Sequence, residues 1–326
     1  KKDSKDLLFD VSQPASVGVT SIIQNIGKVT NSGVEIELDY NAFKNKDWSV
    51  SVGANATFVK NKIKNLPATM KENGYISGSK KWLEGKSIYE FWLRQWHGVD
   101  PQTGDGLYVA DVSKYNQGNI GTGDGNITQS QFDEYKKTVV TIDGKELTNS
   151  YTYAKYDFSG SSIPDVYGGF NVRVSYKNFD LAAVFSYQLG GQILDTNYAT
   201  MMSMTEFGYA QSPDLLKAWK QAGDITEVPR IDNSAAHTTN IGQSYSTRWL
   251  TSSDYLNLRS VTIGYQFPKA WLSKVMLKSA RLNLTAENLF MLKARQGLNP
   301  MANYSGVTYN EYMPSRNITL GLNVSF

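Results

Sequence analysis

The chain has 326 residues, no cysteine and a formal net charge of +3 from 33 basic and 30 acidic residues, which excludes disulfides and thiolate metal sites and leaves no basic stripe for nucleic acid. Hydrophobic residues make up 40% at a mean hydropathy of -0.39, and no run approaches the roughly 18 apolar residues of a membrane helix, so any bilayer crossing must use strands. Aromatic residues reach 12%, a surplus that fits interfacial girdles, sugar-binding faces and ordinary β-sandwiches alike.

The chain opens on Lys1-Lys2-Asp3-Ser4-Lys5-Asp6, with neither an initiator Met nor an apolar leader, and reads as mature or as a piece. A short strand is expected over Asp6–Val11, then a loop from Ser12 to Asn25 carrying Pro14 and Gly18. From Val34 the alternation is clear: Val34, Ile36, Leu38 and Tyr40 against Glu35, Glu37, Asp39 and Asn41. After the polar stretch Lys44–Asp47, Trp48, Val50, Val52, Ala54, Ala56 and Phe58 alternate with Ser49, Ser51, Gly53, Asn55 and Thr57. This is a hairpin with one apolar face. Three acids on the other face would be costly inside a dry core, so they meet water, outside a soluble sheet or within a wet lumen.

Residues 66–162 read as a long excursion broken by a hairpin from Ser87 to Val109. Phe170, Val172, Val174 and Tyr176 then begin a second hairpin, turning at Asn178 and returning through Leu181, Ala183, Phe185, Tyr187 and Leu189. Its other side, Asp180, Ala182, Val184, Ser186 and Gln188, is less polar than a wet lumen asks for. A second excursion spans 195–247 and holds a helix over Ser212–Trp219, with Ser212 as N-cap and Pro213 in the first turn. The strand Tyr255–Phe267 changes parity midway, which predicts a bulge at Arg259 or Ser260. After one helical revolution within Pro268–Ser279, Leu282, Leu284 and Ala286 alternate with Arg281, Asn283, Thr285 and Glu287. A loop, Lys293–Pro314, leads to the last strand, where Ile318, Leu320, Leu322, Val324 and Phe326 oppose Asn317, Thr319, Gly321, Asn323 and Ser325. Repeated alternation with short connections at one end and long ones at the other predicts an all-β transmembrane antiparallel barrel segment of about eight strands, or about ten if the 87–109 hairpin joins the wall. The loops at 12–25, 66–162, 195–247 and 293–314 would then be extracellular. A soluble β-sandwich writes the same alternation and stays open as a reading.

Six phrases in order carry a family resemblance: Gln24–Glu35, Gly98–Gly106 (GVDPQTGDG), Ile163–Phe170 (IPDVYGGF), Tyr255–Tyr265, Ala286-Glu287-Asn288-Leu289-Phe290 with Gly297–Pro300, and the closing strand ending on Phe326. Together they resemble signature segments of SusC/RagA-type TonB-dependent transporters. The resemblance implies the C-terminal part of a plugged barrel of about 22 strands, with the plug absent from this chain and supplied, with the remaining wall, by other sequence. It implies import of glycan fragments, or alternatively oligopeptides, under a SusD-like surface lipoprotein, energised through the TonB complex in the bacterial outer membrane and working as a dimer of such pairs. It implies no enzyme, and Phe326 as the terminal aromatic used in barrel assembly. A passive porin and a soluble β-rich carbohydrate-binding protein are the rival readings.

Trp82, Tyr89, Trp92 and Trp96 cluster in the first long excursion and are candidate substrate contacts, because aromatic faces dock sugar rings and peptide side chains; packing within the loop is the plainer role. Glu35, Glu37, Asp39, Arg173, Arg281 and Glu287 are expected to face the lumen. No catalytic residue is assigned, since neither His97 nor His237 has a nucleophile pattern beside it. No cofactor or metal is expected: the 122–131 loop resembles a calcium loop around Asp124-Gly125, but Ile120, Thr122 and Gln131 stand where carboxylates are needed.

Overall fold

The computed structural model describes residues 1–12, 21–123, 125–203, 208, 210–242 and 245–326. Its wall is one antiparallel sheet whose main path runs through eight strands: β1 (Lys2–Ser12), β2 (Ser21–Lys44), β3 (Trp48–Asn65), β4 (Val166–Tyr176), β5 (Phe179–Leu189), β6 (Tyr255–Gln266), β7 (Ser279–Glu287) and β8 (Asn317–Ser325). Each strand pairs with its neighbour in chain order, and the short strand Met291–Lys293 adds to β6. The connections at one end are tight. Asn45 builds the first, its Oδ1 accepting from the Asp47 and Trp48 amides at 2.9 and 2.7 Å, and Lys177 takes a left-handed φ of 52° in the second, a conformation the tight reversal requires.

Register converts the alternation of single strands into continuous rows. Tyr40, Val52, Val172, Ala183, Val261, Ala286 and Ile318 lie side by side across seven strands. Four residues nearer the tight turns, Trp48, Tyr176, Phe179 and Tyr265 form an aromatic row, with ring centroids 4.3 Å apart for Trp48–Tyr176 and 4.5 Å for Phe179–Tyr265. This row is what an interfacial girdle looks like in register. The opposite face carries Asp39, Gly53, Asn171, Val184, Ser260, Glu287 and Asn317 in one row. The predicted bulge is at Arg259, which the pairing of β5 with β6 skips; it restores one parity to the whole strand.

Among the described residues the large side chains of the apolar face are left exposed. Leu38 is 66% exposed, and Ile318, Leu320 and Leu322 are 71, 68 and 62% exposed. Among the described residues the sheet does not close on itself. Strand β1 pairs β2 only from Ser21 to Asn31, so Ser32–Lys44 has a free edge, as does β8 beyond β7.

Strand β2 has 24 residues and β3 has 18, whereas a tilted strand crosses hydrocarbon in about 9–11. Their far halves therefore project past the apolar band. This corrects the expected loop at 12–25: Ser21–Asn25 is strand, and 13–20 lies outside the described residues. Beyond Val34 the outward positions are Ser32, Thr30 and Lys28, so the periodic apolar signal ends while the pairing continues.

The excursion at 66–162 is also more regular than expected. It holds a sheet made of Tyr75–Ser77, Lys80–Trp82, Glu90–Arg94 and Tyr156–Ser161, a second of Trp96–Val99, Gly106–Val109, Val139–Ile142 and Lys145–Thr148, and helix α1 (Gln129–Thr138). The 87–109 stretch thus divides between two small sheets and adds nothing to the wall. Strands of three to six residues are too short for a period to show in sequence. The 212–219 helix proves to be a 3-10 turn, Pro213–Lys217, capped by Ser212 Oγ at 3.2 Å from the Asp214 amide.

Candidate functional site

The polar face of the wall and the cap of ordered loops at its open end form one continuous region. On the wall, Glu35, Glu37 and Asp39 sit opposite the Val34–Tyr40 stripe and are exposed. Arg173 lies between Ser51 and Ala182 in register and is also exposed. Arg281 reaches across β6 to Asp180, Nη2 to Oδ2 at 2.6 Å, and its Nε donates to Asn283 at 2.7 Å. Glu287 accepts from Asn317 Nδ2 at 3.3 Å. All six lie on the face opposite the apolar rows. Among the described residues only Arg281 and Glu287 of the six are tied to neighbours in this way, leaving three acids and Arg173 presented to whatever fills that side.

The cap folds over the same polar side. Val29, Ile63 and Leu66 on the projecting wall are buried against Met70, Trp82 and Ile88; the odd-numbered parity of Ile63 on β3 is that of Ser49, Gly53 and Asn55, the polar face. Asn61 fastens the approach, its Oδ1 accepting from Ser87 Oγ and the Ile88 amide, each at 3.0 Å. A larger core joins the three long excursions: Phe91, Leu93, Leu194, Met202, Trp249 and Val307 are all buried together. Each such side chain contributes roughly 1.5–3 kcal/mol. Backbone bonds add to this, Leu194 N to Gly306 O at 2.7 Å and Thr308 N to Leu194 O at 3.1 Å.

The four candidate aromatics separate. Trp82 packs in the core against the wall, its Nε1 donating to Ile88 O at 3.2 Å. Lys80, on the same side of its strand, is buried with Nζ 2.9 Å from Tyr89 O and 3.1 Å from the centre of the Phe91 ring; loss of hydration pulls its pKa down to about 7. Trp92 is on the other side of that sheet, stacked at 6.2 Å on Tyr156, 4.9 Å from Phe158 and under Lys81 Nζ at 4.1 Å. Trp96 meets Tyr108 edge-on at 5.1 Å and lies 4.7 Å from the Arg248 guanidinium, which also covers Trp249 at 4.3 Å. Tyr89 is half-buried, its carbonyl engaged by Lys80 Nζ and Ser162 N. These rings do not make one platform. Residue spacing in sequence could not show it, because adjacent side chains in a strand point to opposite faces.

The GVDPQTGDG phrase acquires a mechanical role that sequence did not indicate. Gly104, at φ 74°, has its open side filled by the Trp219 indole, whose Nε1 donates to Pro101 O at 3.0 Å. Asp105 lies 3.2 Å from Arg230 and 3.8 Å from the His237 imidazole, and His237 Nε2 is 2.9 Å from Arg230 O. The phrase is a dock for the second excursion. Beside it a cleft of about 1270 Å³ is lined by Ser212, Leu216, Trp219, Arg230 and Asp232, with Leu216 and Ile231 80 and 66% exposed. Asp124 lies outside the described residues; Gln131 is committed to the capping box of α1, its Oε1 accepting from Thr128 N at 2.8 Å. Among the described residues no group of three or more His, Asp or Glu is placed to hold a metal ion. His97 is exposed on the strand Trp96–Val99, whereas His237 is buried in the helix Ala235–Ile241.

No family model matches the chain. Relatives and solved structures do. The chain is 28% identical over 341 aligned residues to TonB-dependent receptor P3 of Formosa agariphila, covering 99% of this chain and 31% of that receptor. It is 24% identical to TonB-dependent receptor SusC of Bacteroides thetaiotaomicron, covering 100% of this chain and 29% of SusC. The structure of the RagAB peptide importer in its closed-closed state superposes with a TM-score of 0.75 at 25% identity, over 99% of this chain and 32% of that one. The chain thus spans about a third of the length of the relatives it matches.

Proposed function

We propose that this chain, whose sequence and fold are those of a SusC/RagA-type TonB-dependent receptor along its whole length, is a section of the wall and outer cap of an outer-membrane importer of oligomeric nutrients. One observation carries the reading. A sheet with apolar positions aligned across seven strands and large apolar side chains exposed along one face, a polar opposite face and two free edges is stable only where hydrocarbon covers the first and further strands complete the ring.

In this reading the tight turns face the periplasm and the cap faces the outside. The remaining strands and the plug come from sequence beyond this chain. Cargo enters beneath a SusD-like lipoprotein that meets the cap, where exposed Leu216, Ile225 and Ile231 offer apolar surface, and plug movement is energised through the TonB complex. The wall contributes a wet, mixed-charge passage, with Glu35, Glu37, Asp39 and Arg173 free to exchange hydrogen bonds with plug or cargo. Glycan fragments are the first reading of the cargo, implied by the resemblance; the four aromatics, stacked or packed separately, add no shared docking face to it. Oligopeptides are the second reading, supported by the wall fold shared with the RagAB peptide importer.

Sidedness tests the assignment. The chain has no cysteine, so Ser305→Cys in the cap and Asn178→Cys in a tight turn can each be introduced as the single thiol of this chain, in a receptor whose remaining cysteines, if any, are replaced by serine. A membrane-impermeant maleimide should label the first in intact cells and the second only after permeabilisation. Equal labelling of both in intact cells refutes the orientation. Growth of a deletion strain on single glycans and single peptides then assigns the cargo.

A further inference from the structure

We infer that the outward face of the projecting wall binds phosphate-bearing lipid headgroups of the leaflet it stands in. The inference rests on the membrane reading above. On β3 the outward parity continues beyond Phe58 as Lys60, Lys62 and Lys64, all exposed. Lys60 and Lys62 pair with Ser32 and Thr30 on β2, and beyond them Lys28 pairs with Asn65 across a bulge that holds Lys64, so three lysines of β3 and one of β2 gather at this end of the two strands. Phe58, 44% exposed, is the last apolar outward residue of β3. At roughly 3.3 Å per residue and a 35–45° tilt, Lys60 to Lys64 stand about 5–15 Å above it, the depth of a headgroup layer.

The charge is uncompensated. Basic and acidic residues balance almost evenly over the chain, yet among the described residues none of these four lysines has a carboxylate within 4.0 Å. Asp3, the acid closest to them on β1, is held by the Thr30 hydroxyl at 2.6 Å and by Lys1 at 3.8 Å. The Thr30 bond, with Lys1, Lys28 and Lys5 nearby, holds the Asp3 carboxyl below its usual range, a sign of the positive field there. Like charges on every second residue of one strand repel one another unless an anion sits between them. A cleft of about 360 Å³ opens beside them, lined by Thr30, Ser32, Lys60, Lys62 and Lys64 and, from the start of β4's approach, Asp165. Above it the same outward side continues as cations over rings: Lys81 faces Trp92 at 4.1 Å and Lys86 faces Phe158 at 4.5 Å. Their sheet turns Lys80, Phe91 and Trp82 the other way, against the inner cores. Cations interleaved with aromatic rings just beyond an apolar band suit a phosphorylated glycolipid surface.

The test uses the full receptor containing this chain, reconstituted into phosphatidylcholine vesicles doped with a bisphosphorylated glycolipid and re-extracted in detergent. Retained glycolipid per receptor is measured by native mass spectrometry. Wild type should retain it in a salt-sensitive way, and the variant with Lys28, Lys60, Lys62 and Lys64 all changed to Arg should match it. Changing the four to Gln should weaken retention by about fivefold per lysine, while millimolar inorganic phosphate leaves wild-type retention intact. Equal retention by the Gln variant, wild-type retention indifferent to salt, or full displacement by inorganic phosphate overturns the inference. If the Gln variant does not insert, the salt response of wild type and the Arg variant decide alone. Failure of wild type to enter the vesicles at all would instead strike the membrane reading.

Discussion

Lys80 and Gly53 show what single positions contribute. Lys80 is buried beside Phe91 with one carbonyl partner, and its pKa falls from 10.5 to about 7 because burial disfavours the charged form. Between those values the unfolded chain holds a proton that the folded chain has released, so stability must rise with pH across about 7 to 10, by an upper limit of about 1.4 kcal/mol per pH unit. Urea titrations followed by tryptophan fluorescence should show that slope in the wild-type cap and a flatter one in Lys80→Met; an unchanged slope contradicts it. Gly53 lies between Asp39 and Asn171 in register, and a Cβ there would sit 2.6 Å from Asn171 Nδ2 and 2.6 Å from Asp39 Oδ1. Gly53→Val should cost about 1–3 kcal/mol, read as a lower midpoint in the same titration, whereas Ser51→Val one pair away should cost less.

At the scale of elements, the wall strands were legible and the cap was not. In β8, Ile318, Leu320 and Leu322 alternate with Thr319, Gly321 and Asn323, and period 2 survives because one solvent is hydrocarbon and the other water. The same rule explains the failure at Ser21–Gly33: once β2 leaves the apolar band, its outward side becomes Lys28, Thr30 and Ser32 and the period vanishes though pairing goes on. In the cap, Lys80–Trp82 has three residues and Glu90–Arg94 five, and their faces are set by contacts with excursions over 100 residues away. That is why four aromatics read as one patch lie in separate environments. The two faces of β8 give a direct prediction: Leu320→Arg should destabilise the folded barrel by about 2–4 kcal/mol, whereas Thr319→Arg should cost at most about 1 kcal/mol. Chemical unfolding from bilayers measures both, and similar costs would contradict the assignment of faces.

For the whole molecule, the open sheet sets the terms. Its edges, Ser32–Lys44 of β2 and all of β8 beyond β7, present unpaired backbone groups that hydrocarbon cannot satisfy. Expressed alone, the chain should aggregate rather than insert, and co-expression with the remaining part of its receptor should yield a heat-modifiable complex on gels; insertion of the chain alone as a stable pore contradicts this. The central claim is that the two faces of the wall meet different solvents. Spin labels placed singly at 317–326 in the full receptor, in bilayers, test it most directly. Accessibility to oxygen should peak at Ile318, Leu320, Leu322 and Val324, and accessibility to a water-soluble nickel chelate at Thr319, Gly321 and Asn323, out of phase with period 2. Flat profiles, or chelate access to Leu320 and Leu322 equal to that at Thr319, would contradict it.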